Sequence, residues 1–163
     1  VPTDLAWGQI GGGWQIVANR AVPAAFNKWM YAFYRSPLCA LDHKVDLTVG
    51  KSMTNRQVGP VIRSSGEFDG YAALVDASGR VSLEMWLAGK RAATLGSFNT
   101  GGNFDTKVVT LSATGSLIEV KVGSEVVITA TDSRRQGSFV GMMAYGGAGY
   151  SWPEVDSFSA GAV

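Results

Sequence analysis

Apolar and polar residues alternate along this chain in short runs, each closed by Gly, Asn, Asp or Ser. A period of two belongs to a strand with one face buried. No long stretch carries the period of an amphipathic helix. The runs predict strands over Trp14–Asn19, Trp29–Arg35, His43–Val49, Val58–Ser64, Tyr71–Asp76, Val81–Leu87, Ala92–Phe98, Thr106–Ala113, Leu117–Val122, Val126–Asp132, Phe139–Tyr145 and Val155–Ser159. Between them, Ala77-Ser78-Gly79, Ala88-Gly89-Lys90, Thr114-Gly115-Ser116 and Gly123-Ser124-Glu125 supply residues that accept the positive φ of hairpin turns. About a dozen short strands at this spacing predict an all-β sandwich or barrel.

The pattern also assigns faces. In the hairpin from Leu117 to Asp132, Ile118, Val120 and Val122 point one way, and Val126, Ile128 and Ala130 match them on the return strand. This set is predicted to face the core, with a second sheet about 10 Å away. On the strand from Trp29, the set Trp29, Tyr31 and Phe33 is predicted to be core, and Met30, Ala32 and Tyr34 to take the other face. Trp14 is predicted to be core. Two stretches interrupt the alternation: Gly96–Asp105, a loop rich in Gly and Asn, and Tyr145–Pro153, a glycine-dense loop carrying aromatics.

Composition narrows the class. The chain has 163 residues and a formal charge of +1, the length of one domain over residues 1–163, alone or within a longer chain. So small a charge offers no field for nucleic acid or an anionic membrane. No apolar run approaches the ~20 residues that span a bilayer as a helix. The first residue is Val1 and no signal peptide is visible, in keeping with a leader or flanking domain having been removed. The single cysteine, Cys39, sits in an apolar run and reads as a small buried hydrophobe.

Reactive constellations are scarce. His43 is the only histidine, so His-based metal clusters and Ser-His-Asp arrangements lack parts; it is expected to cap or enter a strand. The glycines of Gly8–Gly13 precede a strand, not a helix that could hold phosphate. Asp42, Asp46, Asp69, Asp76, Asp105, Asp132 and Asp156 fall at strand ends or loops. A structural calcium would need such oxygens, but no loop has ligand spacing, so these are read as turn formers. No cofactor is expected.

The order of fragments GGGWQIVANRA, VGPVIRSSGEFDGYAALVD, GRVSLEMW, GSLIEVKVGSEVVITATD, GSFVGMMAYGG and VDSFSAG resembles the concanavalin A-like lectin/glucanase family in its laminin G-like style. It is similar to modules of bacteriophage virion proteins, notably minor tail proteins. The resemblance implies a two-sheet antiparallel β-sandwich of jelly-roll type. In that family an opening strand carrying Asp-Phe lies near the last strand. Val1-Pro2-Thr3-Asp4-Leu5 departs from it, which leaves the VDSFSA edge without an expected cover.

The glucanase branch carries an E-x-D-x-x-E pattern whose two working acids flank the sugar at about 5–5.5 Å. The nearest match is Glu67-Phe68-Asp69, with Ala72 where the third acid belongs. Hydrolysis is therefore disfavoured. For binding, Tyr150 and Trp152 lead, with Tyr145 beside them; Asn99, Asn103 and Phe104 form a second loop group. Arg63 lies among apolar residues and is a further binding candidate if its face is the concave sugar-binding side; if it is buried instead, it requires a carboxylate partner, for which Asp76 and Glu84 are the candidates.

Three functions follow. The first is a non-catalytic module of a phage virion that docks on other virion proteins, on itself or on host-surface glycan. The alternative is a carbohydrate-binding module of a secreted bacterial protein. A glycoside hydrolase comes last.

Overall fold

A computed structural model describes residues 7–10, 13–24, 27–38, 40–146 and 152–163. These hold β1 (Trp7–Ile10), β2 (Trp14–Val17), β3 (Arg20–Pro23), β4 (Lys28–Tyr34), β5 (His43–Lys51), β6 (Val58–Ser64), β7 (Gly70–Val75), β8 (Arg80–Leu87), β9 (Lys90–Asn99), β10 (Val108–Thr114), β11 (Leu117–Val122), β12 (Glu125–Thr131), β13 (Phe139–Gly146) and β14 (Glu154–Ala162). One seven-stranded sheet runs β1-β4-β13-β6-β7-β8-β9, and a second runs β12-β11-β10-β5-β14-β3-β2. The fold is an all-β, two-sheet antiparallel sandwich, as the alternation and the resemblance imply.

Every predicted strand has its counterpart. Two strands went unpredicted: β1 and β3 have four residues each, too few for a period to register, and β3 ends in a proline, which argues against a strand. The loop expected over Gly96–Asp105 begins later, because β9 continues through Asn99. Phe104 is fully buried in the core, not displayed on a loop.

The layer between the sheets is made by Val45, Leu47 and Val49 of β5, Val109 and Leu111 of β10, and Ile118 and Val120 of β11. They meet Ala32, Val58, Ile62, Tyr71, Ala73, Leu83 and Met142 from the first sheet. Trp14 is partly buried against this layer. On β12 the predicted faces fail at one position: Ile128 is buried but Val126 is exposed. The β11–β12 register shifts after Val120, so that Ile128 pairs Val120 while Val126 pairs Lys121. The extra residue, Val127, is a bulge that turns Val126 to solvent.

The larger correction concerns β4. Ala32 belongs to the layer between the sheets, whereas Trp29, Tyr31 and Phe33 join a second cluster with Val61, Ala72, Leu74, Trp86, Met143 and Phe68. That cluster draws only on the first sheet and the loop before β7, so it covers that sheet's outer face. The parity was read correctly and the core side was not. A strand buried on both faces loses its alternation, and side-chain size does not say which face meets the other sheet.

β14 lies inside the second sheet. It pairs with β5 along Glu154–Ala162, and on its other side, among the described residues, its pairing is Val155 with Ala21 of β3.

Candidate functional site

The outer face of the first sheet carries a row of rings. Phe68, from the loop before β7, stacks on Tyr31 at 5.6 Å and on Trp86 at 5.7 Å. Phe33 meets Tyr31 and Phe139, each at 5.7 Å. Gly141 of β13 makes room for this layer: a Cβ there would lie 2.8 Å from the Tyr31 ring and 2.2 Å from the Ala32 carbonyl oxygen. Toward one end the row closes on Trp29, whose ring centroid is 4.7 Å from Trp86 and 5.4 Å from Tyr145, both edge to face.

At that end the face opens into a groove of about 310 Å³, lined by Trp29, Tyr145, Asn55, Gln57, Asp76, Arg80 and Arg91. Strand register explains why these residues meet. Tyr145 stands directly opposite Trp29 in the β13–β4 pair, and the Gln57 carbonyl accepts the Tyr145 N–H at 2.8 Å. Asp76 and Arg80 close the β7–β8 hairpin, Asp76 N–H donating to the Arg80 carbonyl at 3.2 Å. Gly79 takes φ 87° in this turn. Asp76 Oδ1 accepts from the Ser78 N–H at 2.8 Å and from the Ser78 hydroxyl. Arg91 faces Trp86 across the β8–β9 pair.

Beneath the groove lies a buried carboxylate. Glu84 is 1% exposed. Its Oε1 accepts from Ser82 Oγ at 3.0 Å and its Oε2 from the Trp86 indole N–H at 3.1 Å. Arg91 Nη1 lies 3.5 Å from Oε1. Every other residue of β8 therefore forms a polar row, Arg80-Ser82-Glu84-Trp86, opposite Val81, Leu83 and Met85. That alternation is plain in the sequence and was the signal for the groove that sequence reasoning passed over.

Of the six sequence-predicted binding residues, the five among the described residues do not line one groove. Tyr145 lines the groove. Trp152 is half-buried just ahead of β14, and Tyr150 lies outside the described residues. Asn99 and Asn103 are exposed turn formers, their Oδ1 atoms accepting from Gly101 N–H at 2.8 Å and Asp105 N–H at 3.3 Å. Arg63 is buried, and neither Asp76 nor Glu84 is its partner. Its Nη2 pairs with Asp42 at 3.2 Å and its Nε donates to the Leu41 carbonyl at 2.9 Å. Arg63 sits at φ 52°, where the β6–β13 register shifts, and this turns its side chain off the outer face. It lines a smaller hollow of about 260 Å³ with Leu41, Asp42, Gly115 and Gln136. Asn55, Gln57, Asp76, Arg80 and Arg91 were not foreseen as site residues, and Trp29 was set aside as core.

Several acids elsewhere are held by protein donors. Asp69 accepts from Ser64 Oγ at 2.8 Å, Ser65 N–H at 2.8 Å, Ser65 Oγ at 2.9 Å and the Arg135 guanidinium. It anchors the loop that carries Phe68, while Glu67 is exposed. Asp105 receives the Ser52 N–H and hydroxyl, each at 2.7 Å, and these bonds hold its carboxyl below the usual range. Asp132 is held at about 2, first by its hydrogen bonds from Arg134. Among the described residues no three His, Cys, Asp or Glu side chains gather as metal ligands. His43 enters β5 as expected and is fully buried, which lowers its pKa.

No family model and no curated relative matches the sequence. Solved structures do match. The carbohydrate-binding module CBM66 from Bacillus subtilis superposes with a TM-score of 0.72 at 15% identity, over 97% of this chain and 93% of that one. The VIP36 exoplasmic/lumenal domain bound to Ca2+ and Man3GlcNAc gives 0.71 at 11% identity, over 97% and 84%. The legume lectin-like domain from Entamoeba histolytica gives 0.66 at 13% identity, over 98% and 91%. The architecture of this chain is thus the lectin-like β-sandwich, the concanavalin A-like fold that the fragment order implied.

Proposed function

We propose that this chain is a non-catalytic carbohydrate-binding module whose sugar lies in the groove lined by Trp29 and Tyr145. The observation that carries this reading is the groove's make-up. Two aromatic rings offer apolar faces to a sugar ring, and Asn55, Gln57, Asp76, Arg80 and Arg91 surround them with donors and acceptors for hydroxyls. Polar groups make up most of this lining, and the ring contacts of Trp29 with Trp86 and Tyr145 hold its apolar part in place. The likeness to a bacterial carbohydrate-binding module and to lectin domains supports the reading at the level of fold. An extracellular location goes with it.

The virion role implied by the fragment order has no counterpart among these neighbours, so the carbohydrate-binding alternative becomes the main reading. The acid nearest the hydrolase pattern is otherwise occupied: Asp69 is committed to Ser64, Ser65 and Arg135.

Calorimetric titration with a panel of oligosaccharides tests the proposal. A bound sugar should lose at least tenfold in affinity on Tyr145→Ala and on Trp29→Ala, with unchanged binding for Asn103→Ala. Binding that survives both groove variants would refute the site. Release of reducing ends that stops in Glu67→Gln would refute the non-catalytic assignment. Co-sedimentation with phage particles, with no oligosaccharide bound, would restore the virion role.

A further inference from the structure

The groove's polar lining is unequal in what it has left to offer a ligand. Its carboxylates are already engaged. Asp76 is buried with Oδ1 accepting both the N–H and the hydroxyl of Ser78. Glu84, beneath the floor, serves Ser82, Trp86 and Arg91. The guanidiniums are not equally engaged. Among the described residues no carboxylate forms an ion pair with Arg80, which is exposed at the groove wall. Arg91 reaches Glu84 through one nitrogen, at 3.5 Å, with its side chain 54% exposed. Arginine carries five N–H donors and no acceptor, so both residues keep uncommitted donors at the groove that Trp29 and Tyr145 also line.

We infer that the groove selects an acidic sugar, one bearing a carboxylate or sulfate group, which Arg80 and Arg91 receive while the sugar ring lies against Trp29 and Tyr145. This rests on the carbohydrate-binding reading and adds a ligand class to it. The chemistry favours it over a neutral sugar. A neutral hydroxyl donates as well as accepts, and Asp76 Oδ1 and both Glu84 oxygens already accept from protein donors. A carboxylate or sulfate accepts only, and it pairs with a guanidinium through two parallel bonds of the stronger, charge-assisted kind. Asn55 and Gln57 remain for the hydroxyls.

The test is titration with oligogalacturonate, its fully methyl-esterified form, a heparin oligosaccharide and a neutral mannan oligosaccharide. The ester keeps the sugar and removes the charge. The expected result is binding of one of the two acidic probes at least tenfold tighter than the ester and the mannan, and the preferred probe tells carboxylate from sulfate. Raising salt from 0.05 to 0.5 M should weaken that binding, since exposed charges are screened. Arg80→Ala should remove the preference, and Arg80→Lys should restore it only in part, because ammonium lacks the planar fork. Arg80 is an exposed hairpin residue whose fold contact is its backbone carbonyl, so these variants keep the fold; matching melting curves establish that.

Neither acidic probe binding more tightly than the ester and the mannan, or a preference unchanged in Arg80→Ala, overturns the inference. If Trp29→Ala and Tyr145→Ala still abolish binding in that case, the groove stands as a site for neutral sugar. If those variants bind as before, or if no probe binds, both the acidic preference and the groove assignment fall.

Discussion

Trp86 donates its indole N–H to Glu84 Oε2 at 3.1 Å, two positions back on the same strand. The bond folds the large ring along β8, where it meets Trp29 at 4.7 Å, and it gives a buried acid the partner its burial demands. Glu84→Ala removes the acceptor of Ser82, Trp86 and Arg91 together. Leaving buried donors unsatisfied costs about 1–3 kcal/mol each, and some of these regain water in the variant. The expected loss is about 3 kcal/mol in urea unfolding, with a shifted tryptophan emission as Trp86 loses its hold. Glu84→Gln keeps acceptor capacity and should lose less. A variant as stable as the parent would show that this carboxylate does not organise the floor.

Gly141 is a sterner requirement. A methyl group there meets the Ala32 carbonyl oxygen at 2.2 Å and the Phe33 Cα at 2.9 Å, both backbone, so β4 and β13 must part to admit it. Overpacking of this kind costs about 1–3 kcal/mol. Because the same strand pair sets Trp29 against Tyr145, Gly141→Ala should lower the melting temperature and weaken sugar binding together. Loss of one without the other would separate the strand pairing from the site.

How much of this could be read in the sequence depends on what each residue's neighbours decide. Turns at Gly79 and Gly123 announce themselves through local chemistry, and the positive φ values of 87° and 61° are there. Leu47, Leu111, Ile118 and Val120 follow the period-two rule because one face of each strand meets the first sheet. The rule failed where both faces are covered. Trp29, Tyr31 and Phe33 alternate correctly with Ala32, but only the strand order reveals which set looks outward. Arg63 illustrates a second limit. Its left-handed backbone and the register shift beside it redirect the side chain toward Asp42, and no alternation pattern encodes that. Of the candidate site, Tyr145 was legible as an aromatic beside glycines. Arg80 and Arg91 lie eleven residues apart on adjacent strands and come together only through the hairpin between them.

Tyr71 links the core to the sandwich's end. Its ring is buried among the residues between the sheets, while its hydroxyl donates to Asp132 Oδ1 at 2.6 Å and accepts the Arg135 N–H at 3.0 Å. Burial, and then the bond to Asp132, push its pKa up to about 12. Tyr71→Phe keeps the packing and deletes a bond to a charged group, a class worth about 1.5–3 kcal/mol. The melting temperature should fall by about 2–4 °C for each kcal/mol lost. A neutral outcome in calorimetry would mean that water replaces the hydroxyl at this end.

The last prediction concerns acid. His43 is fully buried, with Nε2 2.6 Å from the Ala40 carbonyl and Nδ1 3.4 Å from the Arg63 N–H. In this geometry Nε2–H donates and Nδ1 accepts, which describes a neutral ring. Burial is the chief cause that lowers its pKa, and the charge of Arg63 adds to it. The Ala40 carbonyl and the Asp42 charge act the other way. The unfolded chain protonates His43 near 6.5 while the folded chain still resists, so the unfolded state binds more protons just below that value. Stability is therefore complete above about pH 7 and falls as pH drops through 6.5, with a slope of at most about 1.4 kcal/mol per pH unit for one proton. The fall ends at the folded pKa. Asp132, held at about 2, and Asp105, also lowered, cost stability only below the ordinary carboxylate range, near pH 4 and under, so the two windows are separate. Since the chain has one histidine, His43→Gln, which keeps a donor and an acceptor, should flatten the slope of urea stability between pH 7 and 5 and leave the lower one intact. An unchanged slope in the variant would assign the upper window to another group and leave the buried ring without a role in acid sensitivity.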